Sequence, residues 1–336
     1  MKLKKNSNKL LAGLLSLSMV FAVTSGSVMN VKADDITWSS ESAITDYAYS
    51  FVCVGDTQKV SINCPEYLDT LYDWILDNQE SKKIGHVFGL GDITDDNAPS
   101  EWTAARDAIY QMNGKISYSL LRGNHDGSLR FNTTFNHDVY TDQFNGFYDE
   151  YKIETSYKTM TIGNVNYLLI TLDYGATDAE LDWASRIIKA HPNRKVIVNT
   201  HGYMDSDGSL LNEAEDTLAP GPEYDMDHDY NKEYNDGLEI WDKLIKNHAN
   251  IDIVLSGHMG NDLQIRTDTG VNGNTVTSFM INSQDLDQEY YELDGTPCGM
   301  VGILYFSEAG EYIGMEYYST VRNLYYNENR DLVEKA

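Results

Sequence analysis

Gly91-Asp92-Ile93-Thr94-Asp95 and, further along, Gly123-Asn124-His125-Asp126 decide how this chain is read. Each follows a short apolar run, His86 to Leu90 and Ile116 to Leu121, of the length of a buried strand. Three more runs end alike: Phe51 to Val54 leads into Gly55-Asp56-Thr57-Gln58, Val196 to Asn199 into Thr200-His201, and Ile251 to Leu255 into Ser256-Gly257-His258. Five strand ends therefore deliver Asp, Asp, Asn, His and His. In open α/β sheets ligands bind beyond the carboxyl ends of the strands, so these side chains can meet at one site. Mixed carboxylate, amide and imidazole donors suit Mn, Fe or Zn better than Ca or a thiolate centre.

Amphipathic stretches alternate with the apolar runs, the pattern of a layered α/β fold. Glu66 to Gln79 sets Leu68, Leu71 and Ile75 on one helical face, and Leu238 to His248 does so with Trp241, Leu244 and Ile245. Thr177 with Glu180 forms a capping box ahead of Leu181, Ala184, Ile187 and Ile188. Hairpins are expected for Thr155–Thr161 with Val165–Leu172 about Gly163-Asn164, for Leu263–Thr267 with Thr275–Ile281, and for Met300–Phe306 with Tyr312–Tyr317. The expected fold is α/β, a two-sheet sandwich of mixed strands with helices outside. The late tyrosines Tyr312, Tyr317, Tyr318, Tyr325 and Tyr326 are expected on both faces of edge strands.

In order and spacing these residues resemble the calcineurin-like metallophosphoesterases, whose motif series is Asp-x-His, Gly-Asp-x-x-Asp, Gly-Asn-His-Asp or Glu, a later His, and Gly-His-x-His. The resemblance runs from Asp56 to Gly260. It implies a four-layer αββα sandwich and two divalent metals (Mn, Fe or Zn). Asp92 would bridge them, with Asn124, His201 and His258 completing one site and Asp56 and Gln58 lying at the other. Two imidazoles of that other site are replaced, by Gln58 and by Gly260, which implies a weaker site or one favouring Mn or Mg, with Asn261 or Asp262 as candidate substitutes. The implied chemistry is attack of a metal-bound hydroxide on a phosphomonoester or phosphodiester, with His125 as catalytic imidazole and Asp95 orienting it. Arg122 and Arg130 are candidate phosphate clamps, or ordinary surface arginines.

The 336 residues include 25 Lys plus Arg against 52 Asp plus Glu, a formal net charge of -27, which sets nucleic acid and anionic lipid at a disadvantage as partners. With 41% hydrophobic and 11% aromatic residues the chain can fill a core, which excludes wholesale disorder. Lys2, Lys4, Lys5 and Lys9 precede an apolar run from Leu10 to Val23 that is too short to span a bilayer, and Val31-Lys32-Ala33 gives a cleavage signal. Residues 1–33 are thus expected to be a signal peptide, 34–47 a leader, 48–320 the metallophosphoesterase domain and 321–336 a tail. Cleavage leaves 303 residues at net -32 and a secreted, extracellular protein with no stable membrane anchor. A small phosphate ester is the expected substrate.

Cys53 reads as a buried thiol, and pairing of Cys64 with Cys298 stays open. His86, His137, His191 and His248 read as structural or solvated. His228 lies among Asp225, Asp227, Asp229 and Asn231 in a loop from Met204 to Asn235, open to reading as a lid, a Ca site or a solvated loop. Two other function classes stay open: a catalytically silent metal-binding protein on the same fold, from the changes at Gln58 and Gly260, and a surface adhesin using the acidic loop.

Overall fold

Along the strand Tyr49–Val54 (β2), Tyr49, Phe51 and Cys53 face one apolar layer and Val52 and Val54 another, the period of two of a strand covered on both sides. The computed structural model describes residues 38–215, 218–260 and 263–326. The proposed signal peptide and the candidate substitutes Asn261 and Asp262 lie outside the described residues.

Two seven-stranded sheets form the body. The first runs Trp38–Ser39 (β1), Leu324–Tyr326 (β14), Tyr312–Ser319 (β13), Met300–Phe306 (β12), β2, Ile84–Gly89 (β3) and Tyr118–Ser119 (β4), parallel only across β2, β3 and β4. The second runs Leu263–Thr269 (β10), Thr275–Ile281 (β11), Ile251–Ser256 (β9), Lys195–Asn199 (β8), Val165–Thr171 (β7), Ser156–Ile162 (β6) and Gly146–Phe147 (β5), parallel from β7 through β8 and β9 to β11. The parallel strands occupy the middle of the second sheet and one half of the first. Their carboxyl ends carry the five strand-end residues. The helices are Gln58–Asn63 (α1), Glu66–Asp77 (α2), Pro99–Ile109 (α3), Ser128–Thr134 (α4), His137–Tyr140 (α5), Asp178–Ala190 (α6), Gly237–Lys243 (α7) and Gln284–Asp294 (α8).

Three apolar layers make the order αββα. Phe51, Phe88, Tyr167, Ile253, Phe279 and Leu304 fill the space between the sheets. Val52, Val87 and Ile303 turn away from it onto α2 and α3 through Leu71, Ile75 and Ala105. Leu168, Val198 and Val254 meet Leu181, Ala184 and Ile188 of α6 on the far side. The expected α/β sandwich of mixed sheets with helices outside is therefore present. The tyrosines divide as expected, with Tyr312, Tyr317 and Tyr326 between the sheets and Tyr318 and Tyr325 on the helix side.

The capping box forms: Thr177 Oγ1 accepts from Glu180 N at 3.3 Å and Glu180 Oε2 accepts from Thr177 N at 2.8 Å. Other elements differ from the sequence reading. Ile116 to Leu121 contributes only Tyr118–Ser119 as strand, because the chain turns early into the Gly123 loop. The helix read as Leu238 to His248 breaks at Leu244, and Ile245–Asn247 forms a 3₁₀ turn. Within residues 34–47, Trp38 and Ser39 pair antiparallel with Tyr326 and Tyr325. Helix α8 escapes the pattern because only Leu286 and Asp287 are buried, which leaves no apolar stripe to read. All three cysteines are free thiols, and Cys64 and Cys298 sit in different apolar layers, one under the helices and one between the sheets. Among the described residues no helix is long and apolar enough to cross a membrane.

Asp287 joins α8 to the start of β12, its Oδ1 accepting from Cys298 N at 2.8 Å and Gly299 N at 2.7 Å. Burial pushes its carboxyl up to about 7. A carboxyl raised in the folded state stabilises below its unfolded value, near 4, and that stability is lost as pH rises through the folded value. Asn keeps the accepting oxygen but cannot ionise. Asp287→Asn should therefore gain stability relative to wild type between pH 4 and 8 in denaturant melts. A difference that stays flat with pH would show that Asp287 does not carry this ionisation.

Candidate active site

Asp92 stands three residues beyond the end of β3, and its backbone there is left-handed at φ 47°. That conformation is uncommon for a residue with a Cβ and turns the carboxylate back toward the sheet edge. Asp92 Oδ1 accepts from His125 N at 2.9 Å, and Oδ2 lies 3.2 Å from His201 Nε2. Gly123 is required beside it, since a Cβ there would run into the Asp92 carboxylate, and Gly257 stands in the same relation to Asp56. Asp126 fixes the two turns. Its Oδ2 accepts from Ile93 N (2.9 Å) and Gly123 N (3.0 Å), and its Oδ1 from Thr94 N (2.9 Å) and Thr94 Oγ1 (2.8 Å). The motif contains this residue, but its part becomes visible only once the turns are side by side.

Asp92, His201 and His258 bring ligand atoms within 4.8 Å of one another, the only such His, Cys, Asp or Glu group among the described residues. Asn124 Oδ1 lies between the imidazoles, 3.1 Å from His201 Nε2 and 2.8 Å from His258 Nδ1. His201 Nδ1 donates to Leu90 O at 2.7 Å, which aims Nε2 at the cluster. His258, itself left-handed at φ 79°, has Nε2 2.8 Å from Leu218 O. Burial and the neighbouring His201 hold His258 down to about 4, so it is a neutral imidazole with a single proton. Its Nε2 can donate to the Leu218 carbonyl, which leaves the Nδ1 lone pair facing Asn124. Two imidazoles, a carboxylate and an amide oxygen are a donor set that suits a divalent cation.

The remaining charges follow from burial and proximity. Burial opposes a charged His201, but the Asp92 and Asp56 carboxylates overcome it and raise the group to about 9. Burial also opposes a charged Asp92, and His201 overcomes it, holding the carboxyl down to about 2. Asp56 goes the other way, raised well above its ordinary value by burial, with the Asp92 charge adding to the rise. Asp56 accepts from His258 N (3.1 Å to Oδ2) and Asn282 Nδ2 (2.7 Å). Gln58 is buried nearby at the start of α1. At Gly260 a Cβ would lie 2.6 Å from Asp285 Oδ2, so that carboxylate stands where a longer side chain would begin.

His125 is partly exposed at the edge of the cluster, and Asp95 holds it otherwise than expected. His125 Nδ1 donates to the backbone carbonyl of Asp95 at 2.7 Å, whereas the Asp95 carboxylate is 4.0 Å away and pairs with Lys59 at 2.8 Å. Arg122 is not a phosphate clamp. It is buried, with Nε 2.7 Å from Asp173 Oδ1 and Nη1 2.9 Å from Asp225 Oδ1, and Glu154 lies at 3.5 Å. Arg130 is exposed on α4. Two carboxylates of the acidic loop bond to the body of the fold: Asp225 to Arg122, and Asp227 to the backbone N of Ser128 at 2.9 Å. It also touches the site, because Met226 N donates to Asn124 O at 2.8 Å. His86 is structural, bonded to Ser117 and Ser119, and His248 meets Ser185.

Residues 49–261 match the sequence profile of the calcineurin-like phosphoesterases, more than half of the chain. The chain belongs to the calcineurin-like phosphoesterase family. Membership supports a metal-dependent hydrolase acting on phosphate esters. Among relatives, the uncharacterized protein YvnB of Bacillus subtilis (strain 168) is 26% identical over 280 residues, 81% of this chain, which spans 20% of that protein's length. Similar solved structures include a dimetal phosphatase from Danio rerio (12% identity, TM-score 0.46, 81% of this chain and 96% of that one). A purple acid phosphatase from yellow lupin is also similar (15% identity, TM-score 0.45, 83% and 52%).

In this phosphoesterase, Arg122→Ala should leave Asp173, Asp225 and Glu154 buried without their cation and destabilise the fold by about 3–5 kcal/mol. A phosphate clamp would behave differently: KM would rise while the unfolding midpoint stayed put.

Proposed function

We propose that this protein hydrolyses small phosphate monoesters or diesters outside the cell. The observation that carries the reading is the convergence of Asp92, His201 and His258 within 4.8 Å, with the Asn124 amide oxygen touching both imidazoles. These four residues would hold one divalent metal, and Asp56 and Gln58 would hold a second that shares Asp92. Divalent metals at such a site neutralise phosphoryl oxygens and lower the pKa of an attacking water.

The chain's own part is positioning and proton transfer. His201 is aimed by the Leu90 carbonyl and Asn124 is held by Met226 N, so substrate oxygens meet a preorganised site. His125 donates an Nδ1–H hydrogen bond to the Asp95 carbonyl, which leaves Nε2 to face the substrate and serve the leaving oxygen. A cavity of about 290 Å³ is lined by Glu154, Asp173, Asp225 and Asp227 together with Arg122, Lys152 and Lys232, with Lys152 paired to Glu154 and both Arg122 and Lys232 to Asp173. The chain's formal net charge of -27 supports a small ester over a polyanion.

His201→Ala should abolish Mn-dependent hydrolysis of both a monoester and a diester probe, and His125→Ala should lower kcat at least 100-fold with metal content unchanged. Equal hydrolysis by wild type and His201→Ala would sink the reading. For export, mass spectrometry of protein from the culture medium should find a chain beginning at Asp34; an intact chain kept in cells would contradict it.

A further inference from the structure

Gln58 stands two residues after Asp56, and its amide is almost wholly buried, 3% exposed. Its Nε2 donates to Gln284 Oε1, while its own Oε1 has no hydrogen-bond partner. A buried oxygen left without a donor costs about 1–3 kcal/mol, so the arrangement needs a partner that the protein itself does not supply. Gln284 is in turn tied down: its backbone N donates to Asn282 Oδ1 at 2.9 Å, and its Nε2 lies 3.5 Å from His258 O. Asn282 Nδ2 closes the circuit on Asp56 Oδ2 at 2.7 Å. Contacts thus run unbroken from Gln58 through Gln284 and Asn282 to Asp56. The two middle residues, Asn282 just after β11 and Gln284 at the start of α8, lie beyond the 49–261 family match. They can sit there because position 55 is glycine; a Cβ would collide with the Ile281 carbonyl.

We propose that Asn282 and Gln284 are positioning residues that hold Asp56 and Gln58 as oxygen donors of a second metal site sharing Asp92, and so select a hard cation such as Mn or Mg there. The amide contact on Nε2 is what commits Gln58 Oε1 to the metal. Asp56, Gln58 and Asp92 offer only oxygen, whereas Asn124, His201 and His258 offer two imidazole nitrogens, so the two sites differ in softness. At position 260, where the family motif has its last imidazole, the chain has glycine, with the Asp285 carboxylate beside it.

The proposal rests on the phosphoesterase reading, and its test separates the two. The full metal-free chain is dialysed against Mn and, separately, Zn, with bound metal counted by elemental analysis and folding checked by thermal melting. Wild type should take two Mn per chain. Gln284→Leu should keep the first metal and weaken the second 10–100-fold. Gln284→Glu, which retains the acceptor for Gln58 Nε2, should restore it. Gln58→Ala reads the same site from its other end and should match Gln284→Leu, with no further loss in the double variant. An unchanged second affinity in Gln284→Leu would overturn the proposal. So would a wild type that hydrolyses ester with a single metal at saturating Mn, while leaving the phosphoesterase reading intact. A wild type that binds no metal and hydrolyses nothing would overturn both.

Discussion

Four hydrogen bonds into the carboxylate of Asp126 hold the two turns that carry Asp92 and Asn124 against each other. The turns leave neighbouring parallel strands, β3 and β4, whose ends would otherwise be free to splay. With Asp126 in place, Asp92 is fixed in a left-handed conformation and receives the His125 amide, and Gly123 passes where no side chain would fit. The second sheet then needs only to deliver His201 and His258 from the ends of β8 and β9. The apolar layer between the sheets sets that distance.

The sandwich explains why one edge carries the chemistry. Parallel strands from both sheets end on the same side, and the backbone groups at those ends supply part of the site: the Leu90 carbonyl orients His201, the Asp95 carbonyl holds His125, and the His258 amide meets Asp56. Burial makes the charges interdependent. His201 is held protonated by two carboxylates, and the neighbouring His258 is kept neutral partly by that charge. A divalent cation held by these residues would take over that charge.

Much of this was legible in the sequence, for definite reasons. Buried parallel strands read as apolar runs, and each was followed by a polar residue that a core would not tolerate without a purpose. The hairpins and the Thr177 capping box are local signals, so they appeared where expected. What stayed hidden depends on packing across the chain. Helix α8 has too few buried residues to show a period, and its turn supplies Asn282 and Gln284, which no spacing connects to Asp56 and Gln58. Arg122 looked available because a sequence does not show that Asp173 and Asp225 surround it. Asp95 was assigned to His125 by its carboxylate, whereas a backbone carbonyl, which every residue has, does the holding.

Anomalous diffraction from crystals grown with Mn would show whether the strand-end residues form a metal centre. A peak is expected within coordinating distance of Asp92, Asn124, His201 and His258, lost in crystals of His201→Ala. A site empty at saturating Mn, or peaks only among surface carboxylates, would contradict it.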